Sequence, residues 1–228
     1  MQKMMNRKKV FAGGLVLYAA LFTGLSAASG ADGLILQRLS GVLEYQSAGT
    51  QDRQPIVGQL LVQPRGYAVT KARSMAAIDL PDSSVVSIGA SSHVELRRFE
   101  REAWGSSSSM TIVDGAIHFA VKHPMGARAN YVFVTPTAQI AVRGTEGVIV
   151  ARADETIVAC VHGTNNDTEV YYGGRHMFIP VGMTVRIRRG LGKVSTMSMR
   201  RGISGPEFSQ FNAIIARNHT LRMQGKPR

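Results

Sequence analysis

Side chains that could bind a metal or act in acid–base catalysis are few and widely spaced in this sequence. The six histidines lie at positions 93, 118, 123, 162, 176 and 219, and none stands at helical ligand spacing from another. His118 and His123 could meet across a hairpin and bind a metal. However, His118 alternates with Ile117 and Phe119, which predicts that its imidazole faces solvent. We therefore predict no metal and no cofactor.

Nucleophilic chemistry has equally little support. The sequence contains no Gly-X-Ser-X-Gly elbow, no His-Glu-X-X-His pair and no calcium-binding loop. The single cysteine, Cys160, excludes a disulfide within the chain or a thiolate zinc cluster, and its apolar neighbours predict that it is buried. We predict that the protein is not an enzyme. A hydrolase or metal protein that uses the histidines is the alternative.

The segment around Arg143 combines residues with strong effects on the backbone. Pro136 fixes φ and lacks an N–H, so it should end a strand or lie on a sheet edge. Gly144 permits a positive φ. Arg143 has five donors, enough to bind loop carbonyls and a carboxylate such as that of Glu146. A structural clamp is the favoured interpretation of Arg143, and an anion- or partner-binding arginine is the alternative.

The formal net charge of +12 is concentrated at the two ends of the chain. The first nine residues carry four basic side chains, and the stretch from Arg186 to Arg228 carries ten against one acid, Glu207. Outside the cytoplasm such charge could bind phospholipid head groups, lipopolysaccharide or wall polymers. The favoured alternative is a solvated tail, because the charges do not share one face. The candidate anion-binding residues are Arg186, Arg188, Arg189, Lys193, Arg200 and Arg201. We predict no nucleic-acid partner.

The N-terminus has the pattern of an export signal. A basic start is followed by an uncharged apolar run from Val10 to Leu25, and small residues follow up to Ala31. The run has 16 residues, shorter than the about 20 that a membrane-spanning helix needs. We predict that residues 1–31 are a signal peptide and that the protein is periplasmic. A retained N-terminal anchor is the alternative.

Apolar residues recur at every second position from Gly33 onward, with turns at Gly, Pro, Asp and Asn. This pattern predicts an all-β domain of many short strands over residues 32–190, arranged as a sandwich, a barrel or a solenoid. Ser106 to Ser109 suggests a flexible loop tip. In the basic segment 191–228, Ser204 and Glu207 form a capping box, which predicts an amphipathic helix over about residues 205–223.

Several stretches between residues 34 and 190 resemble the FecR domain, and they follow one another in the same order as in that family. They are Gly58 to Leu61, Tyr67 to Thr70, Ala76 to Gly89 and Val113 to Phe119. The fullest likeness lies over residues 133–146, whose Thr-Pro and Val-Arg-Gly-Thr elements are similar to the family signature. The matching positions, which we interpret as structural, are Thr135, Pro136, Val142, Arg143, Gly144 and Thr145.

The resemblance implies a periplasmic, all-β and non-catalytic domain. The best-known members of the family are iron-uptake regulators that relay a signal from an outer-membrane transporter to a cytoplasmic sigma factor. Only nine residues precede the apolar run here, so we do not expect the cytoplasmic sigma-binding segment of those regulators. Ser83 and Gly147 stand where the family often has a glycine and an aromatic residue.

These observations predict a free-standing, non-enzymatic exported FecR-type domain. We expect it to bind an envelope protein or polymer, in signalling or in assembly. The alternative is a binder of envelope polyanions or of the membrane surface, in which the basic C-terminal segment makes a peripheral contact.

Overall fold

Most of the chain forms β-strands whose side chains alternate between a core and an outer surface. The computed structural model describes residues 33–224 apart from 63, 103–104, 123–127, 191–194 and 204. The predicted signal peptide, His123, Lys193 and the predicted helix cap Ser204 lie outside the described residues. No helix among the described residues has the length and apolar character needed to cross a membrane.

Seventeen strands occur in the described residues, and their pairing divides them into two sheets that share one strand, β9. In spatial order, sheet A consists of β4 (Gln59–Val62), β1 (Leu34–Ser40), β6 (Met75–Asp79), β7 (Val85–Ile88), β9 (Gly105–Ala120), β12 (Glu146–Ala151), β13 (Glu155–His162), β16 (Met183–Arg189) and β17 (Ser195–Arg201). Sheet B consists of β3 (Arg53–Pro55), β2 (Leu43–Gln46), β5 (Gly66–Thr70), β8 (His93–Glu102), β9, β10 (Arg128–Val134), β11 (Gln139–Val142), β14 (Thr168–Tyr172) and β15 (Arg175–Phe178).

A single apolar core joins the two sheets. Sheet A contributes side chains such as Leu36 and Ile78, and sheet B contributes Leu96 and Phe133. Residues 105–111 of β9 pair with β10 in sheet B, and residues 115–120 pair with β12 in sheet A. All pairings are antiparallel except that of β9 with β10, which is parallel. The all-β prediction is confirmed, and two sheets around one core correspond to the sandwich alternative.

The prediction of a loop tip at Ser106 to Ser109 is wrong. These four residues lie within β9 and pair with both β8 and β10. The alternating pattern is hidden in the sequence because the buried positions are serines with hydrogen-bond partners. The Ser106 hydroxyl donates to the carboxylate of Asp82, and the Ser108 hydroxyl donates to the carbonyl of Arg98 at 3.2 Å.

The predicted C-terminal helix is present and covers the outer face of sheet A, which is the face turned away from the core. A 3₁₀ helix, Pro206–Phe211, runs directly into the α-helix α1, Asn212–Met223. Phe208 and Phe211 are fully buried against Val148 and Ile157 of the sheet. Their burial is the main apolar contribution to docking, since no residue of α1 itself is buried.

The cap of this helical segment differs from the prediction. Gly205 precedes the first turn, and no side-chain hydrogen bond caps it. The Glu207 carboxylate instead accepts a hydrogen bond from Arg186 at 3.3 Å and lies 3.8 Å from Arg200. It therefore ties the start of the helix to β16 and β17.

The turn between β6 and β7 has a residue in the left-handed region. Ser83 has φ of 67°, and its N–H donates to the carbonyl of Leu80 at 2.9 Å. Its side chain is exposed, so no side-chain contact offsets the backbone cost. The conformation explains why glycine suits this position.

Replacing Ser83 by glycine should stabilise the protein. Relief of the left-handed conformation is worth about 1 kcal/mol, partly cancelled by the greater freedom of glycine in the unfolded chain. We expect a rise of about 0.5 kcal/mol in the free energy of unfolding, measured by urea titration. The matched variant Ser198→Gly, in the exposed strand β17, should instead lower it, because glycine weakens a strand interior. A loss of stability in Ser83→Gly would contradict the assigned turn.

Candidate interaction site

Side chains from two other elements, β9 and α1, converge on the carboxylate of Glu146 in β12. Its Oε1 accepts a hydrogen bond from Nε2 of His118 in β9 and another from Nδ2 of Asn218 in α1, each at 2.8 Å. Its Oε2 accepts from the guanidinium of Arg222, also in α1. Glu146 and His118 are each only 1% exposed. This buried network, which we call the Glu146 cluster, fastens α1 to sheet A.

The electrostatics of the cluster favour an ionised carboxylate. Burial acts to raise the pKa of Glu146, because it penalises the charged form. The hydrogen bonds from His118, Asn218 and Arg222 outweigh burial and hold the pKa below its ordinary value. An ionised carboxylate with four hydrogen-bond acceptor positions suits three donors arriving from two different elements.

The predicted solvent exposure of His118 is wrong. Its side chain does alternate with those of Ile117 and Phe119 and does point away from the core. The outer face at this place is covered by the C-terminal segment, and the ring of Phe211 lies 6.0 Å from the imidazole. Strand alternation alone could not reveal this, because the covering element lies more than 90 residues further along the chain.

Arg143 is placed differently from the prediction. Its Nη2 lies 3.8 Å from Oε2 of Glu169, and Glu146 is occupied by the cluster described above. The Arg143 side chain is 55% exposed, and its backbone N–H donates to the carbonyl of Asp167 at 2.8 Å. Arg143 therefore lies at the sheet surface, with its nearest carboxylate on β14.

The other signature residues hold turns and buried backbone in place. The hydroxyl of Thr135 bonds to both the carbonyl and the N–H of Ala138, at 2.8 and 3.0 Å, and closes the turn that contains Pro136. Gly144 has φ of 93°, in the predicted positive region. Val142 is fully buried, and the hydroxyl of Thr145 donates to the carbonyl of His162.

The candidate anion-binding arginines lie near carboxylates that already neutralise several of them. Arg186 and Arg188 both contact Glu155 Oε1 at 2.7 Å, and Arg200 lies near Glu207. Arg189 donates to the carbonyl of Pro136 at 2.7 Å, and Arg201 is exposed. The structure brings Arg186, Arg188 and Arg200 together on the outer face of sheet A, around Glu155 and Glu207.

A groove lies beside α1 on the outer face of sheet A. Its floor contains the small side chains of Ala77, Ser87 and Ala120, and its walls include Leu39 and Leu221. The cavity volume is about 530 Å³. The groove exists because the docked helix projects further from the surface of sheet A than these small side chains do.

An apolar edge adjoins the groove. Ile35 and Leu61 are cross-strand partners on β1 and β4, and Leu39, Val57 and Leu60 lie close by in the chain. Half of the exposed large apolar side chains of the described residues fall between positions 35 and 61. In the described part of the chain, β4 pairs only with β1 and so forms a border of sheet A. We call Ile35, Leu39, Val57, Leu60 and Leu61 the apolar edge.

One expectation about a reactive group can be compared with the structure. Cys160 is fully buried, as predicted, and burial raises the pKa of its thiol. Among the described residues, no group of three or more His, Cys, Asp or Glu side chains is arranged to hold a metal ion.

The strand pairing and the apolar core define an all-β domain. The FecR protein family model matches residues 67–164, from β5 to the loop after β13. The resemblance seen in the sequence is thus confirmed over residues 67–164. The match includes Glu146 and His118, whereas β1 to β4 and α1 lie outside it.

Other comparisons extend over part of the chain. Two crystal structures, at 1.65 and 2.50 Å resolution, of a "putative anti-sigma factor" from Parabacteroides distasonis ATCC 8503 are similar at 17% identity, with a TM-score of 0.48. Each similarity covers 60% of this chain and 59% of the solved chain. No curated protein sequence matches the chain.

Replacing Glu146 by glutamine should destabilise the protein by about 2 kcal/mol, because the buried Arg222 contact loses its counter-charge. Thermal or urea unfolding followed by circular dichroism measures the change. The matched variant Glu100→Gln removes an exposed ion pair with Arg98 and should leave the unfolding midpoint unchanged. Equal midpoints for Glu146→Gln and the native protein would show that the cluster does not hold α1.

Acid should remove the stabilisation that the ionised carboxylate of Glu146 gives to the folded protein. Because the pKa of Glu146 is lowered in the folded state, the unfolded chain binds the proton more readily, and stability rises with pH in that range. The stability difference between the native protein and Glu146→Gln should be full above pH about 5 and should shrink as the pH falls below about 4. Urea titrations at several pH values measure it. A difference that stays constant or grows in acid would contradict the assignment.

Proposed function

We propose that this chain is an exported, non-enzymatic FecR-type domain that binds another protein of the cell envelope, in signalling or in assembly. The family match supports a regulatory, signalling-related domain. The absence of nucleophile motifs in the sequence agrees with a role in binding. The N-terminal sequence pattern supports export to the periplasm.

The observation that carries the proposal is the apolar edge. Leu61, in the border strand β4, is 60% exposed, and Val57, two residues before that strand, is 85% exposed. Contiguous apolar surface on a soluble domain is typical of interaction sites. A border strand also presents unpaired backbone groups, to which a partner can add a strand.

Polyanion binding through the basic C-terminal segment is the weaker candidate. Glu155 and Glu207 already pair with Arg186, Arg188 and Arg200, which lowers the positive potential of that surface. Because β17 is part of sheet A and Phe208 and Phe211 are buried, deleting the segment would also disturb folding. Point substitutions in the full chain separate binding from folding more cleanly.

Photo-crosslinking in intact cells tests the proposal. A photoreactive amino acid at position 61 of the full chain should give an adduct with one envelope protein, found in the periplasmic or membrane fraction. The same amino acid at position 175, on β15 of sheet B, should not give it. Because an arginine in the contact disrupts apolar packing, Val57→Arg should reduce the position 61 adduct by about fivefold or more.

Val181→Arg is the matched control, since Val181 is also exposed but lies outside the apolar edge. It should leave the adduct unchanged. Identical adducts at positions 61 and 175 would contradict a specific surface. Adducts at position 61 only with lipid or polysaccharide would contradict a protein partner at the apolar edge.

A further inference from the structure

The groove beside α1 has the size and lining of a small-molecule site. Its volume of about 530 Å³ lies within the range of 300–1,000 Å³ that is usual for ligand pockets. Apolar side chains such as Leu80, Val85 and Leu221 form much of its wall. A hydrocarbon chain of a ligand would lose contact with water along this wall.

One residue that lines the groove has a buried polar atom without a hydrogen-bond partner among the described residues. His118 lines the groove, and its Nε2 bonds to Glu146, but its Nδ1 has no hydrogen-bond partner among the described residues. Buried polar side-chain atoms are nearly always hydrogen-bonded in folded proteins. The atom therefore points to a polar group that enters the groove from outside the chain.

The charges around the groove favour an anion. Lys122, at the end of β9, and Arg217, on α1, both line it, against a single carboxylate, that of Asp79. Glu146 does not change this balance, because it is buried and already bonded to Arg222 and Asn218. An incoming carboxylate would meet more positive than negative charge.

We propose that the groove binds a small amphipathic carboxylate, such as the anion of a medium-chain fatty acid. The hydrocarbon chain lies along Leu80, Val85 and Leu221, and the carboxylate faces Lys122 and Arg217. The polar end of the ligand also meets Nδ1 of His118, which has no hydrogen-bond partner among the described residues.

Octanoate and its uncharged analogue octanol are the probes, titrated by calorimetry into the chain without its predicted signal peptide. Because octanol lacks the charge-assisted hydrogen bonds, octanoate should bind about tenfold more tightly. Ala77→Leu fills the floor and should abolish binding of both probes. Arg217→Glu should weaken octanoate binding, whereas Arg175→Glu, the same charge change on sheet B, should not.

A variant of His118 gives an independent measurement. His118→Gln can still donate a hydrogen bond to Glu146, so it should fold. It should bind octanoate less tightly than the native protein does, because its side chain does not present the ring nitrogen Nδ1 to the ligand.

Equal affinity for octanoate and octanol would overturn the proposal, as would undisturbed octanoate binding in Ala77→Leu or no binding at millimolar concentration. The proposed function is tested separately. Val57→Arg lies outside the groove and should leave octanoate affinity unchanged, so that either proposal can fail without the other.

Discussion

The burial of one carboxylate decides how the C-terminal part of this protein is arranged. Glu146 lies in the middle of sheet A, where an unpaired charge would be costly. His118 supplies one donor from the neighbouring strand, but Asn218 and Arg222 come from α1. The carboxylate is therefore fully satisfied only when the helix is docked. The hydrogen bonds to Glu146 and the burial of Phe208 and Phe211 together fix the helix on the sheet.

Docking of the helix creates the groove beside it. Without α1, the outer face of sheet A would be a flat sheet with small residues at Ala77, Ser87 and Ala120. With α1 in place, those residues become the floor of a groove beside the apolar edge. The FecR match ends before α1 and begins after the apolar edge. The groove therefore combines matched residues with the segments that flank the match in sequence, whereas the apolar edge lies wholly outside the match.

Local sequence signals predicted the elements well. Alternating apolar residues indicated the strands, and the positive φ of Gly144 and the turn at Pro136 follow from residue type alone. The C-terminal helix was visible from the spacing of Phe208, Phe211 and Ile214. These features depend on a few neighbouring residues, which is why a single sequence suffices for them.

Long-range pairing explains what the sequence could not reveal. Nothing near Glu146 indicates that its partners are Asn218 and Arg222, more than 70 residues away. Arg143 was expected to bind Glu146, three residues along the chain, but its nearest carboxylate is on β14. The serines of β9 concealed a strand because their hydroxyls bond to distant groups such as Asp82. In each case a polar side chain is explained by an element that pairs with it only in the folded state.

Hydrogen exchange of the folded protein tests most directly whether α1 is an integral part of the domain. If the Glu146 cluster and the buried phenylalanines hold the helix, the amides of residues 214–222 should exchange slowly, within about tenfold of the slowest amides of β12. Rapid exchange throughout α1, while the strands of sheet A stay protected, would show that the helix is not docked. It would contradict the account of the groove and of the outer face.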